Sequence, residues 1–407
     1  MKKLTCFILL CLIISGCFIV GSCDTSNPFA PEKEKKMEIG EVVTKPEEKA
    51  ETEPVTTAPP EVKTVASSEL SKSQYKRLVS SFDSLIYSYG FEGEVYVTEH
   101  NKPIYKKGVN YADKKKKIKN NEYTIFRAAS ITKQFTAAAV MILQERGKLS
   151  VKDKLSKYFP EYQHADKITL DDVLRMRAGI PDYMNFYSNV ANLFPKKTDP
   201  FKNTSAKNRA FIKKSFMEDP LLFTPGATFK YSNSGYLLLG EIIEKVSGQT
   251  YENFIQTEIF DKLGMKYSGF IENMDKSLGK NVARPYNYSK GQTDVFKIKG
   301  AAYACGNIYS NAVDLAKWAD GLRKNKIMSA KSFKAMISDK GSGYGYGLFV
   351  QGNGKIVFHT GNLAPYNSII LLSMGGNEFT SIVLSNYNYY ASERLGKALR
   401  EVYAGYF

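Results

Sequence analysis

Three short stretches carry side chains that could make and break an acyl bond. Ser130 and Lys133 stand three residues apart in Phe126-Arg127-Ala128-Ala129-Ser130-Ile131-Thr132-Lys133. Behind them, apolar residues recur at Phe135, Ala138, Ala139, Ile142 and Leu143, the period of a buried helix, with Gly147 as a stop. Positions three apart share a helix face, so an ammonium is set beside a hydroxyl in the first turn. Burial and the positive end of the helix dipole both favour the neutral amine. A neutral lysine can take the proton of Ser130 and make it a nucleophile, and the free N–H groups of the first turn can face an oxyanion.

The second stretch is Tyr231-Ser232-Asn233, on a tight loop after Pro225-Gly226 and before the apolar run Tyr236 to Val246. A phenol near a lysine can relay a proton, and an amide can hold a substrate carbonyl. The third is His359-Thr360-Gly361-Asn362, which follows the strand-like Lys355-Ile356-Val357-Phe358. A strand edge beside a nucleophile can align an extended substrate, and the N–H of Asn362 is a candidate second oxyanion donor. None of the short motifs is specific alone. Ser-x-x-Lys recurs at Ser73 and Ser277, and Tyr-Ser-Asn at Tyr187 and Tyr309, without a buried helix behind them; these read as solvated surface or turns.

The rest of the chain supplies elements to position the three stretches. Residues 73–89 have helical spacing, and 93–98 alternate like a strand, with a turn at Asn101-Lys102-Pro103 and a return strand from Ile104. Thr169 caps a short helix over 170–176, and residues 184–224 are irregular and helical. A hairpin over 368–384 turns at Gly375-Gly376-Asn377, and a helix over 392–404 ends the chain.

At the N-terminus, Met1-Lys2-Lys3 precedes the apolar run Leu4 to Val20, the pattern of a secretory signal. Cysteines at Cys17 and Cys23 make it a lipoprotein-type signal. Cys23 is preferred as the lipidated residue because polar Asp24-Thr25-Ser26-Asn27 follows it; an uncleaved transmembrane anchor is the alternative. Residues 1–22 thus read as signal peptide, 23–72 as a Pro-, Glu- and Lys-rich disordered tether, and 73–407 as the folded body, outside the bacterial cytoplasm. Four of the five cysteines lie in the first 23 residues, so the body has no intrachain disulfide to form. The three histidines, His100, His164 and His359, are far apart, which excludes a recognisable metal-ligand motif. The chain's net charge is +16; residues 1–72 hold 9 lysines against 11 acidic residues, so the positive charge, +18, resides in the body. It suits anionic wall polymer or lipid head groups, although the run Lys114 to Lys117 with Lys119 reads as a solvated loop. No nucleic-acid motif accompanies it.

In this order, Ser-x-x-Lys, Tyr-x-Asn and His-Thr-Gly resemble the serine β-lactamase and penicillin-binding superfamily. The flanks are more specific and resemble its class C branch: Pro225-Gly226 through Tyr236, Leu239-Gly240-Glu241-Ile242-Ile243-Glu244, Phe260-Asp261-Lys262-Leu263-Gly264-Met265, Cys305-Gly306-Asn307-Ile308-Tyr309-Ser310 with Asp314-Leu315, and Tyr346-Gly347-Leu348. The resemblance implies an α/β (α+β) fold, an antiparallel sheet built from both chain ends and flanked by helices, plus a helical subdomain. It implies acylation of Ser130, proton movement by Lys133 and Tyr231, and substrate orientation by Asn233. His359, Thr360 and Gly361 would lie along the substrate, and Ser130 and Asn362 would supply oxyanion N–H groups. No cofactor is needed. The expected partners are a D-amino-acid peptide, amide or ester substrate and, through the lipid, a membrane. A class C-type β-lactamase and a non-catalytic surface lipoprotein of the same fold are the alternatives. Two departures stand out. His359 occupies a position where relatives that bind a substrate carboxylate usually have lysine; an imidazole with an unperturbed pKa of about 6.5 is mostly neutral at pH 7. Leu174-Arg175-Met176-Arg177-Ala178-Gly179 replaces the usual His-Thr-Ser-Gly stretch, with no consequence readable from sequence.

Overall fold

The computed structural model describes residues 70–186, 193–273, 281–286, 298–363, 365–387 and 391–407. The signal segment with Cys17 and Cys23, the tether, the Ser277 motif and the Tyr187 motif lie outside the described residues. The chain divides into Met1–Glu61 and Val62–Phe407, and the described residues all belong to the second unit.

In chain order the elements are α1 (Lys72–Ser88), β1 (Gly93–Glu99), β2 (Lys102–Val109), β3 (Tyr111–Asp113), β4 (Ile118–Lys119), β5 (Phe126–Arg127), α2 (Thr132–Glu145), α3 (Leu170–Leu174), α4 (Ser205–Met217), α5 (Asn233–Ser247), α6 (Tyr251–Ile255), α7 (Asp261–Leu263), β6 (Gly269–Phe270), α8 (Tyr303–Gly306), β7 (Ile308–Ser310), α9 (Ala312–Arg323), α10 (Ala330–Met336), β8 (Phe349–Gln351), β9 (Ile356–Leu363), β10 (Tyr366–Ser373), β11 (Thr380–Ser385) and α11 (Ala391–Ala404). The main sheet runs β2-β1-β11-β10-β9-β8, each pair antiparallel. It is the expected sheet from both chain ends.

Alternation along the strands gives the sheet two apolar faces. Val95, Val97, Ile369, Leu371 and Val383 pack against Leu78 and Phe82 of α1 and Leu395 and Leu399 of α11. Tyr96, Ile370, Leu372, Ile382 and Leu384 join the larger core built on α2, α5 and α9. Within that core, α2 is buried from Thr132 to Leu143. Most of its buried polar atoms are paired, as buried polar groups usually are, Gln134 Nε2 being without a partner among the described residues. The Gln134 amide oxygen accepts from the Trp318 indole at 2.8 Å, and the Thr136 hydroxyl donates to the Ala304 carbonyl at 2.6 Å. The Trp318 ring also stacks on Phe135 with centroids 4.1 Å apart.

The structure departs from the sequence reading at three places that matter for the site. Ser130 lies in a 3-10 turn, Ala129–Ile131, just before α2 rather than inside it. The strand read over 355–358 runs on through His359-Thr360-Gly361-Asn362 to Leu363, all within β9. A second small sheet, β5-β7-β6, has strands too short to give a periodic signal; it fixes the residues leading into Ser130. Among the described residues no helix is long and apolar enough to cross a membrane.

Candidate active site

The turn bearing Ser130 is held from both sides. Phe126 and Arg127 pair with Ser310 and Tyr309 of β7, and Ala128 donates its N–H to the Ile308 carbonyl at 2.9 Å. The chain must then reverse within one residue, and Ala129 does so at φ 49°, a left-handed conformation that is costly for a residue with a Cβ. Ser368 on β10 donates its hydroxyl to the Ala128 carbonyl at 3.1 Å. Beside it, Gly361 of β9 leaves room: a Cβ there would sit 2.1 Å from the Ala128 carbonyl oxygen and 2.4 Å from Ser368 Oγ. Glycine at 361 is therefore what lets the Ser130 turn lie against the sheet.

Lys133 is fully buried, and its Nζ reaches Ser130 Oγ at 3.1 Å, Asn233 Oδ1 at 2.8 Å and the Cys305 carbonyl at 2.7 Å. The Tyr231 ring centroid lies 4.8 Å away. Burial pulls the lysine down to about 8, against the opposing pull of the Asp182 carboxylate. Asp182 was not singled out by the sequence. Its carboxylate accepts from the backbone N–H of Asn233 at 3.2 Å and from Asn233 Nδ2 at 3.2 and 3.0 Å. Burial raises its pKa, while N–H donors and the Lys133 charge pull the other way. Asn233 thus stands between a lysine and a carboxylate, its amide oxygen turned to one and its amide nitrogen to the other.

His359 is 1% exposed, and both ring nitrogens are used within the protein. Nδ1 lies 2.6 Å from the Thr360 carbonyl, and Nε2 lies 3.0 Å from the Tyr344 hydroxyl. A carbonyl can only accept, so the proton sits on Nδ1 and Nε2 accepts from Tyr344. Burial, with the Lys133 charge, drives this imidazole down to about 3. The 6.5 of a free imidazole does not hold in this setting: the ring is neutral, as the sequence reading had it, and both its nitrogens are already paired. Its centroid lies 6.2 Å from the Tyr231 ring, so it packs the wall behind the phenol. Thr360 is buried and Asn362 half-buried, the latter opposite Asn367 of β10.

The Arg175-Met176-Arg177 departure acquires a role. Arg175 is buried, pairs with Asp171 at 3.1 Å, lies 4.3 Å from the Tyr346 ring centroid and donates to the Ser338 carbonyl. Met176, at φ 59°, accepts the Lys230 N–H on its carbonyl at 2.9 Å and the Ser232 N–H on its thioether at 3.3 Å. Arg177 accepts the Gly226 N–H at 2.9 Å and donates to the Gly226 carbonyl. The segment is a cradle for the loop that carries Tyr231. By contrast, Ser73 and Lys76 are exposed on α1, and Asn311 of the Tyr309 motif caps α9 by accepting the Asp314 N–H at 2.8 Å.

A family model described as Beta-lactamase matches residues 82–405. The chain belongs to the Beta-lactamase family. PbpX of Bacillus subtilis (strain 168), designated a penicillin-binding protein, is 29% identical over 315 residues, covering 77% of this chain and 75% of that one. The Teichoic acid D-alanine hydrolase of Staphylococcus aureus (strain MRSA252) is 29% identical over 268 residues, 64% of this chain and 63% of that protein. The chain therefore spans less than two thirds of this hydrolase. Among solved structures, the octameric penicillin-binding protein homologue from Pyrococcus abyssi superposes with a TM-score of 0.68 at 28% identity, over 81% of this chain and 77% of that one. The mixed helical and antiparallel-sheet fold is that of the β-lactamase and penicillin-binding proteins.

Proposed function

We infer that this member of the Beta-lactamase family is an extracytoplasmic serine hydrolase that forms an acyl-enzyme on Ser130 and acts on D-amino-acid esters, amides or peptides, D-alanyl esters foremost. The observation that carries the reading is the 3.1 Å contact between Ser130 Oγ and a buried Lys133 whose pKa has fallen to about 8. The neutral amine takes the hydroxyl proton as Oγ attacks the substrate carbonyl. The N–H groups of Ser130 and Asn362 receive the oxyanion. Lys133, with Tyr231 beside it, returns the proton to the leaving group, and water then releases the acyl group by the reverse path. Asn233 holds Lys133 in place from Asp182. Thr360 and Gly361 line the bound substrate through the strand.

The choice among substrates rests on His359. β-Lactams and peptides ending in D-alanine carry a free carboxylate, which a fixed cation at this position would attract. A neutral, fully paired imidazole supplies none. An esterified D-alanine has no free carboxylate to satisfy, and the staphylococcal relative is named for removing D-alanine from teichoic acid. The lipoprotein signal and Cys23 would hold the enzyme at the envelope, where such esters occur.

The test labels the full chain with a fluorophosphonate and a fluorescent penicillin side by side and follows hydrolysis of a small D-alanyl ester. Ser130→Ala should abolish the adduct and at least about 99.9% of the turnover, as removal of a nucleophile does, while Ser73→Ala changes neither. An adduct mapped by mass spectrometry to another serine overturns the assignment.

A further inference from the structure

One surface takes no part in the proposed chemistry, the hairpin of β3 and β4. Lys114, Lys115, Lys116, Lys117 and Lys119 are all exposed on it. On neighbouring β2, Lys106 and Lys107 are each neutralised, by Glu122 and Asp83 at 2.6 Å. Among the described residues, no carboxylate pairs with any of the five hairpin lysines. Asp113 is buried in the turn, where one oxygen accepts the Lys116 N–H at 3.0 Å, so it braces the backbone rather than a side chain. Among the described residues these exposed ammoniums have no carboxylate partner, so the hairpin presents a concentrated positive surface that favours an anion over it.

The stem of this hairpin is tied to the end of the sheet that carries the site. Asn386, just after β11, donates its amide to the carbonyls of Tyr111 and Ala112, each at 3.2 Å, and of Arg284 at 2.7 Å. The Arg284 N–H closes the triangle on Ala112 at 2.6 Å. Next to Asn386 in sequence, Ser385 pairs across the sheet with Asn367, and Asn367 pairs with Asn362. Two strand spacings, about 10 Å, separate Ser385, the neighbour of the residue that roots the hairpin, from Asn362. The hairpin that bears the lysines thus springs from the end of the sheet that carries Asn362, on a stem held by the Asn386 amide.

We propose that the Lys114–Lys119 hairpin is a docking surface for the polyol-phosphate backbone of an anionic substrate polymer, which it holds while the acyl ester is presented to Ser130. The proposal rests on the D-alanyl ester reading above for what is cleaved, but not for what is bound. Phosphodiester groups recur along such a polymer, and point charges on flexible stems match them without demanding a register. The surface would act on capture, leaving the acyl-transfer chemistry alone.

The experiment compares the full chain with a Lys114→Gln, Lys115→Gln, Lys116→Gln variant in three arms. These residues are exposed, so the variant is expected to keep its fold, checked by thermal unfolding. The first arm measures binding of unesterified polyglycerol phosphate at low and physiological salt. The variant should bind about tenfold or more weaker, with a shallower salt dependence, since several charge contacts have gone. The second measures hydrolysis of D-alanylated polyglycerol phosphate against a small D-alanyl ester. KM for the polymer should rise by a similar factor, with kcat and the small ester within twofold of wild type. The third measures co-sedimentation with phosphatidylglycerol vesicles. Equal polymer binding by both proteins overturns the proposal, as does a parallel loss on polymer and small ester. Loss of vesicle binding with polymer binding unchanged also overturns it and assigns the lysines to a membrane. If the first arm succeeds and no ester is cleaved, the docking surface stands and the D-alanyl ester reading falls.

Discussion

Lys133 has to lose a proton before it can accept one. With its pKa near 8 rather than the ordinary 10.4, about a tenth of the molecules hold the free amine at pH 7. Acylation should therefore climb about tenfold between pH 7 and pH 9 and then level. Stopped-flow acylation by a neutral ester checks this, and a flat profile would remove Lys133 as base. Asp182 supplies a negative charge that holds the lysine's pKa up. Asp182→Asn keeps an acceptor for the Asn233 amide and deletes the charge, so the alkaline limb should move to lower pH while the plateau falls. A purely structural role would lower the plateau and leave the limb where it was. At this scale the sequence was informative where partners are near in the chain. Ser130 and Lys133 are three apart, and their helix could be recognised from its apolar period. Asp182 is a lone acid in an irregular stretch, brought to Asn233 by folding of the whole helical region, and no local pattern marks it. His359 was readable as a departure but not as a buried, paired ring, because Tyr344 comes from a separate loop.

Elements set how closely these residues approach. β9 and the Ser130 turn touch where Gly361 meets Ala128, with no space for a methyl group. Gly361→Ala should cost about 1–3 kcal/mol of stability, as overpacking does. It should slow acylation by about a hundredfold, because Ser130, the proposed nucleophile, moves relative to the proposed oxyanion donor Asn362. Denaturant unfolding and labelling rates measure the two effects separately, and a fully active Ala variant would mean that β9 does not set the geometry. The long elements α1, α2, α5 and α11 and the β10–β11 hairpin follow the periodicity of their residues. The small β5-β7-β6 sheet and the Arg175-Met176-Arg177 cradle do not, for their order comes from backbone bonds to distant loops rather than from apolar spacing.

For the molecule as a whole, β1 carries an anomaly, a buried acid whose carboxylate has no partner among the described residues. Glu94 is 1% exposed, and neither carboxylate oxygen has a hydrogen-bond partner among the described residues. Burial, with Glu122 nearby, lifts its pKa from 4.5 to about 8, against the pull of Lys106. The folded state thus holds a proton that the unfolded chain releases near 4.5. The stability that proton confers is complete below about 4.5 and is lost as the pH rises through about 8. Glu94→Gln should accordingly gain on the wild type by on the order of 1–3 kcal/mol at pH 9, and far less at pH 4. Thermal unfolding at both values tests it; an equal difference at both would show that Glu94 does not titrate with folding. β1 has a further property. Its partner across the sheet is β11, Val95 facing Val383, with nearly all of the body between them. During synthesis β1 appears among the first segments of the body and its partner among the last. Until then Val95 and Val97 have one open ladder edge, on a strand that can also pair with the wrong chain. The sheet closes only when β11 joins β1, so folding has to close a long loop.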